Sequence, residues 1–426
     1  MRLIGRLKEA FEYSALDQVE SVCGESNGSV VGSFKHLQIG SAFQPIFSLA
    51  HRRPVGYEAL LRAHDGENTP ISPLDVFEMA EMESETVFLD RLCRNVHLRN
   101  FLSMADDTGW LFLNINPEVT VRGKNYGAFF VDLLERNQMP PHRVVVEILE
   151  NSIADESLLA DAVSYYRSLG CLIAIDDFGA GHSNFDRIWR ISPEIVKLDR
   201  MMISQAASNR TVRRVLPNLV SLIHESGSLA LMEGIETETE ALISMESGID
   251  FVQGYYFGRP EPTLGESCAT SRSLQELCDM FGIFSAAEAQ KYHRVLAPYV
   301  ESFRYSASLI ESGAAPNNAC SEFLGKARVE RCYVLDGQGG QCGESLVALS
   351  QSVRNDLRFA PLFDASGAIW SQRHYFQRAI RQPGEVQISR PYLSVAGVNM
   401  CVTLSVAFHT DSGIQVLCSD LDWADI

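Results

Sequence analysis

The 426-residue sequence contains no uninterrupted apolar run of the roughly 18–20 residues that a membrane helix needs. Its start, Met1-Arg-Leu-Ile-Gly-Arg-Leu-Lys-Glu-Ala10, carries charges where a signal peptide needs an apolar block, and reads as a short amphipathic helix. A cytoplasmic protein with no membrane span is therefore expected. Basic residues are scarce: 36 Lys and Arg against 54 Asp and Glu leave a net charge of −18. That excludes a general nucleic-acid binder, whose phosphate contacts rest on clustered Lys and Arg, so no DNA partner is expected. The ten cysteines form no Cys-x-x-Cys pair and no zinc-like grouping with His, which points to scattered reduced thiols. Also missing are a Walker loop, a His-Glu-x-x-His motif and a Ser-His-Asp arrangement, and Gly179-Ala-Gly181 is too short for a nucleotide loop.

What is present is an ordinary globular composition, 46% hydrophobic and 21% charged, which excludes disorder and fibrous repeats. The length suits two or three domains of roughly 100–200 residues. Residues 1–40 read as a leader that ends in the Gly/Ser-rich stretch Cys23-Gly-Glu-Ser-Asn-Gly-Ser-Val-Val-Gly-Ser33. Over 41–264, short apolar runs alternate with segments of helical period such as Leu158–Leu169 and Arg214–Glu225. The runs are Ala42–Phe47, Leu111–Ile115, Val144–Ile148, Cys171–Ile175, Ile195–Leu198, Leu229–Met232 and Phe251–Val252. Their β-branched and large apolar residues suit buried parallel strands, so this is an α/β domain. Seven or eight such strands in about 220 residues fit a barrel better than a short open sheet, although periodicity alone also admits a doubly wound sheet. Residues 265–312 are rich in helix formers and read as a helical linker of one or two helices. Over 313–426, candidate strands at Arg331–Leu335, Glu385–Ser389, Tyr392–Val395, Met400–Phe408 and Ile414–Cys418 predict an α+β, mostly antiparallel domain.

In the first domain nearly every apolar run ends in a polar residue: Glu58 after Val55-Gly-Tyr57, then Asn114, Glu147, Asp176 with Asp177, Lys197, Glu233 and Gln253. From Asn114 to Gln253 they lie 33, 29, 21, 36 and 20 residues apart, each about one strand–helix unit. The C-terminal ends of barrel strands converge on one face, so these side chains are expected to meet there. Singly, Lys197 also fits a solvated lysine and Gln253 a strand-end cap; together they do not read as structure. Five clustered carboxylates disfavour their own ionisation unless a cation offsets them. All-oxygen donors select hard cations such as Mg²⁺ or Mn²⁺, and adjacent acids such as Asp176-Asp177 can divide two of them. Two such ions suit in-line phosphoryl displacement, so the residues alone predict a metal-dependent hydrolase of a phosphodiester or similar anion.

The ordered motifs resemble those of the EAL-domain cyclic-di-GMP phosphodiesterases. Tyr57-Glu-Ala-Leu-Leu-Arg62 resembles the signature, and Phe43-Gln-Pro-Ile46 the opening strand. Leu113-Asn-Ile-Asn116, Val146-Glu-Ile-Leu-Glu150, Ile175-Asp-Asp-Phe-Gly-Ala-Gly181, Val196-Lys-Leu-Asp199, Met232-Glu-Gly-Ile-Glu236 and Val252-Gln-Gly-Tyr-Tyr-Phe257 follow in order, over roughly 38–263. The resemblance implies a TIM-like (β/α)8 barrel whose first strand runs antiparallel, and opening of cyclic di-GMP to linear pGpG. It implies that Glu58, Asn114, Glu147 and Asp176 hold one metal, and Asp176, Asp177 and Glu233 the second, with a water between the metals as nucleophile. Lys197, helped by Gln253, would orient that water; Gln44, Arg62 and Asp199 would bind substrate; Glu150 would brace the loop after Asp177. Singly, Arg62 also fits a surface arginine and Gln44 a cap, while Glu150 and Glu236 also fit ion-pair partners. Three positions depart from the family pattern: Leu149 stands for a usual Thr, His182 for Tyr and Met232 for a small residue. Leu149 removes one hydroxyl from the loop support, a loss of about 1 kcal/mol.

The C-terminal segment, with Trp370-Ser-Gln-Arg-His-Tyr-Phe-Gln-Arg-Ala-Ile380 and Ser389-Arg-Pro-Tyr-Leu-Ser394, resembles a PAS/Cache-like sensor over about 90 residues. That implies a small-molecule ligand, with Arg373, Tyr375, Arg390 and Tyr392 as candidate contacts. The family commonly dimerises through the barrel, so a homodimer is expected. The alternative to a sensor-regulated phosphodiesterase is a weak or inactive EAL domain acting as a cyclic-di-GMP receptor or protein-interaction module. A nuclease for longer nucleic acid conflicts with the charge of −18.

Overall fold

The computed structural model describes residues 15–104, 109–115, 129–149, 156–180, 185–263, 267–348, 365–394, 399–411 and 413–423. The helix expected over Met1–Ala10 lies outside the described residues. The chain divides into two compact units, Met1–Ser285 and Ala286–Ile426.

The first unit is built on strands β1 (Cys23–Ser26), β2 (Ser29–Phe34), β3 (Leu37–Ser48), β4 (Arg53–His64), β5 (Pro70–Ile71), β6 (Trp110–Asn114), β7 (Val144–Leu149), β8 (Leu172–Phe178), β9 (Ile195–Leu198), β10 (Leu229–Met232) and β11 (Phe251–Val252). From β4 through β6, β7, β8, β9 and β10 to β11 each strand pairs parallel with the next. Strand β3 pairs antiparallel with both β4 and β11 and closes an eight-stranded barrel. The expected TIM-like barrel with an antiparallel first strand is thus present, and helices such as Glu156–Leu169 and Arg210–Glu225 fall between the strands.

Strand period decides what fills this barrel. Ile46, Phe112, Val145, Ala174, Ile195, Leu231 and Phe251, one from each of seven strands, form a single buried apolar cluster. The intervening residues, among them Val144, Val146, Ile173, Val196 and Ala230, belong to the larger core beneath the helices. On β4 the place corresponding to this inner layer is Gly56, where an added Cβ would stand 2.8 Å from the Trp110 carbonyl and 2.9 Å from the Phe112 ring. Successive side chains on a strand point to opposite faces, so residues two positions from this layer face inward again.

The stretch read as a leader folds against the barrel. Strands β1 and β2 form a hairpin whose turn, Asn27-Gly28, has φ of 51° and 78° at its two residues, as a type I′ turn requires. Strand β2 then pairs with β3. The Asn100 side chain, on the helix Glu83–Ser103, clamps the hairpin by accepting from Val30 N at 2.7 Å and donating to Val30 O at 2.8 Å. Leu16 and Val19 on the helix Ala15–Glu20 complete this side of the core.

The second unit carries an antiparallel sheet of β12 (Val329–Asp336), β13 (Leu346–Val347), β14 (Gln387–Ile388), β15 (Tyr392–Leu393), β16 (Met400–Thr410) and β17 (Gly413–Asp422). One face packs Cys332, Val334, Val402, Leu404 and Leu417 against Leu296, Phe303, Ala307 and Ile310 of the helix Ser267–Glu311. The other packs Tyr333, Leu335 and Cys418 against Tyr375, Phe376 and Ala379 of the helix His374–Arg381. Among the described residues, no helix is long and apolar enough to cross a membrane.

Glu330, on β12, is only 6% exposed and accepts a hydrogen bond from Asn399. Burial pushes its carboxyl up to about 7 from an ordinary 4.5, against the pull of Asn399 and with the help of Asp420 and Asp422. A carboxyl raised in this way contributes stability that is full below pH 4.5 and is lost as pH rises through about 7. Glu330→Gln is expected to flatten the fall in melting temperature between those pH values and to melt above the wild type at pH 8, as calorimetry across pH would read.

Candidate active site

The residues at the mouth of the barrel follow from the layer beneath them. Asn114, Glu147, Asp176, Lys197, Glu233 and Gln253 each come two residues after a member of the apolar layer, Glu58 two after Gly56, and Gln44 two before Ile46 on the antiparallel strand. One strand period above an apolar floor therefore lies a ring of eight polar side chains. Register joins neighbours within it: Gln44 is the partner of Glu58 and Asn114 of Glu147.

Lys197 is the hub. Its Nζ lies 2.5 Å from Glu147 Oε1, 2.5 Å from Glu233 Oε1, 3.0 Å from Asp176 Oδ1 and 3.9 Å from Glu58 Oε1, and the residue is only 1% exposed. Asn114 Nδ2 donates to Glu58 Oε1 at 3.0 Å. Gln253 Nε2 donates to Glu58 Oε2 at 2.6 Å and to Gln44 Oε1 at 3.2 Å, and Gln44 Nε2 to the Gly258 carbonyl at 3.1 Å. Arg62, four residues after Glu58, shares its face of β4 and donates to the Leu61 carbonyl at 2.8 Å. Asp199 caps the helix Arg200–Ser208 through Met201 N at 2.8 Å, and Glu236 pairs with Arg200 at 3.4 Å. Glu150 and His182 lie outside the described residues, and of Leu149 only the backbone, at the end of β7, is described.

Asp177 departs from strand geometry. Its φ is 57°, and the β8–β9 register shifts between Ile175 and Phe178. In a regular strand two consecutive carboxylates would face opposite sides. Here Asp177 joins Asp176 and Glu233 in one group, and Glu58, Glu147 and Asp176 form another, with ligand atoms in each group within 4.8 Å of one another.

Electrostatics test whether a cation fits. Burial, then Glu58, drives the Glu147 carboxyl well above the usual range despite Lys197. Burial pushes Glu233 up to about 8 against the pull of Lys197, and burial with Asp176 raises Asp177 to about 6. Burial opposes the charge on Lys197, but Asp176, Glu147, Glu233 and Glu58 outweigh it and hold its ammonium well above the ordinary value. Among the described residues, Glu147 Oε2 is buried with no hydrogen-bond donor, while Glu147 Oε1 and Glu233 Oε1 meet the Lys197 ammonium. Buried carboxylate oxygens without donors are costly unless a cation meets them, and these oxygen-only donor sets fit hard divalent ions. The cluster can therefore hold divalent cations and, with them, an anionic ligand.

The EAL domain family model matches residues 30–260, more than half of the chain. The chain belongs to the EAL-domain family. The EAL-domain containing protein YkuI of Bacillus subtilis (strain 168) is 28% identical over 312 residues, covering 70% of this chain and 75% of YkuI. The probable cyclic di-GMP phosphodiesterase PdeN of Escherichia coli (strain K12) is 29% identical over 238 residues, 55% of this chain and 45% of PdeN. The cyclic di-GMP phosphodiesterase RocR of Pseudomonas aeruginosa is 28% identical over 250 residues, 58% of this chain and 63% of RocR. The chain thus spans less than two thirds of the last two. A crystal structure of YkuI in complex with substrate c-di-GMP and calcium shares the fold at a TM-score of 0.75 and 24% identity, over 91% of this chain and 97% of that one.

Sequence reasoning assigned no part to two glycines of this EAL domain. Gly234 follows Glu233 with φ 64°, and Gly254 follows Gln253 with φ 156°. A Cβ on Gly254 would stand 2.1 Å from the Ile235 carbonyl oxygen, beside the hydrogen bond from Ile235 N to the Gln253 carbonyl. The signal was the Glu-Gly and Gln-Gly pairs that each close a short apolar run. Gly254→Ala is expected to cost about 2 kcal/mol or more as backbone shifts to relieve the overlap, measurable by denaturant titration.

Proposed function

We propose that this EAL domain is a metal-dependent phosphodiesterase that hydrolyses cyclic di-GMP to linear pGpG. The observation that carries the reading is the pair of carboxylate groups gathered around Lys197. Glu58, Asn114, Glu147 and Asp176 would hold one Mg²⁺ or Mn²⁺, and Asp176, Asp177 and Glu233 the second. When bound, such ions lower the pKa of water and offset charge on the attacking and leaving oxygens.

The chain's own residues do the rest. A cyclic dinucleotide carries two phosphates into a protein of net charge −18, so the mouth must supply positive charge locally. Lys197 Nζ donates toward the oxygens that gather charge and orients the attacking water, and Gln253 fixes the Glu58 carboxylate through its 2.6 Å bond. Arg62, with Gln44 and Asp199, holds the substrate, the guanidinium as a fork on a phosphate oxygen. By the family resemblance, Glu150 would support the loop after Asp177. Hydrolysis adds one water: a P–O3′ bond breaks, the ring opens, and the proton passes to the leaving 3′ oxygen.

The same reading assigns residues 41–264 to chemistry, 265–312 to a linker and 313–426 to a PAS/Cache-like sensor that regulates turnover. A ligand near Arg373, Tyr375, Arg390 and Tyr392 suits an aromatic, hydrogen-bonded face. There the Tyr375 and Tyr392 rings stack at 6.3 Å, and the Tyr392 and Thr403 hydroxyls are 2.6 Å apart. A homodimer and a cytoplasmic setting complete the proposal; the nine cysteines whose side chains are described are free, as a reducing compartment keeps them.

The test is hydrolysis of cyclic di-GMP by the full chain with Mg²⁺ or Mn²⁺, read as pGpG by chromatography. Glu58→Ala and Asp176→Ala are expected to abolish turnover while the circular dichroism spectrum is unchanged; wild-type hydrolysis by either overturns the two-cation assignment. Arg62→Ala removes a charge-assisted hydrogen bond and is expected to weaken nucleotide binding by about tenfold or more, measured by calorimetry with Ca²⁺ in place of the catalytic ion.

A further inference from the structure

Resting on the reading of the cluster as a two-cation site, we propose that Lys197 competes with divalent metal for shared carboxylate oxygens and so sets how tightly metal binds. Its Nζ touches an oxygen of Glu147 from one ligand group, of Glu233 from the other, and of Asp176, the residue that belongs to both. An ammonium hydrogen-bonded to an oxygen occupies one of that oxygen's few lone-pair directions, and its charge repels any cation brought to the same atom. The contact is out of reach of solvent, since Lys197 is 1% exposed, so salt screens it little.

Charge counting gives the lysine a definite share. Fully ionised, as with cations bound, Glu58, Glu147, Asp176, Asp177 and Glu233 bring five negative charges, and the Lys197 ammonium among them leaves four for two divalent ions to match. Among the side chains bonded within the ring, Asn114, Gln44 and Gln253 are neutral amides. Without the ammonium the carboxylates repel one another more strongly when metal is scarce, and hold metal more strongly when it is present. Lysine therefore trades metal affinity for an ordered cluster.

A role limited to bracing the carboxylates makes the opposite prediction: removing the brace loosens the ligands and weakens metal binding. The metal-stripped full chain is titrated with Mn²⁺, free Mn²⁺ being read by its paramagnetic resonance signal, and melting is followed in EDTA and in saturating Mn²⁺. Lys197→Met, neutral and of similar length, is expected to bind Mn²⁺ about tenfold tighter or more, to melt below the wild type in EDTA, and to gain more from Mn²⁺. Lys197→Gln provides the same measurement if the methionine variant does not fold, with the same expected direction. Unchanged or weaker Mn²⁺ binding in the folded variant, with the wild type binding normally, overturns the competition. A wild type that binds no Mn²⁺ overturns the two-cation reading itself.

Discussion

One buried ammonium among four carboxylates is the interaction on which the barrel mouth depends. Lys197 sits where water does not reach, so each of its contacts acts in a medium that screens charge poorly. Such a group is tolerable only with opposite charge packed against it, so removing any one member leaves its neighbours with uncompensated buried charge.

The backbone makes that arrangement available at small cost. A closed barrel gives each strand one inward residue per two positions, and here one inward layer is wholly apolar while the next carries the charged and amide groups. The apolar floor excludes water from below, and the pairing of neighbouring strands fixes the lateral spacing of the ring. Gly56 belongs to the same logic: on the one strand where the floor has no side chain, the Phe112 ring fills the space and Glu58 can stand above it.

Much of this was legible in the sequence, for a physical reason. Buried parallel strands are short apolar runs, and a polar residue at the end of each run, repeated once per strand–helix unit, marks the rim. Glu147, Asp176, Lys197 and Glu233 could be read that way from spacing alone. Gln44 could not, because the strand it occupies runs backwards and places it near the middle of a twelve-residue strand; only the resemblance of Phe43-Gln-Pro-Ile46 singled it out. The β1–β2 hairpin was missed although Asn27-Gly28 announced it, since Cys23–Ser26 offers no apolar alternation. The helix Glu83–Ser103 buries Asp90, Arg91, Arg94, Asn95, His97 and Asn100, a polar set that composition assigns to solvent. Nor does any local rule show that Asp177 leaves the strand path, because that depends on the register of β8 against β9.

The barrel is not equally thick all round. Strand β11 is two residues long and meets the antiparallel β3 through Phe251 with Ser48 and Val252 with Phe47, supplemented by the bridge between Phe43 and Glu261. With β10 the strand is paired just as briefly, Leu231 with Phe251 and Met232 with Val252, so β11 is the least tied strand of the barrel, and Gln253 and Gln44 face each other across its edge with β3. The ring is thus closed at its most briefly paired strand by neutral amides, which leave no charge uncompensated at that edge.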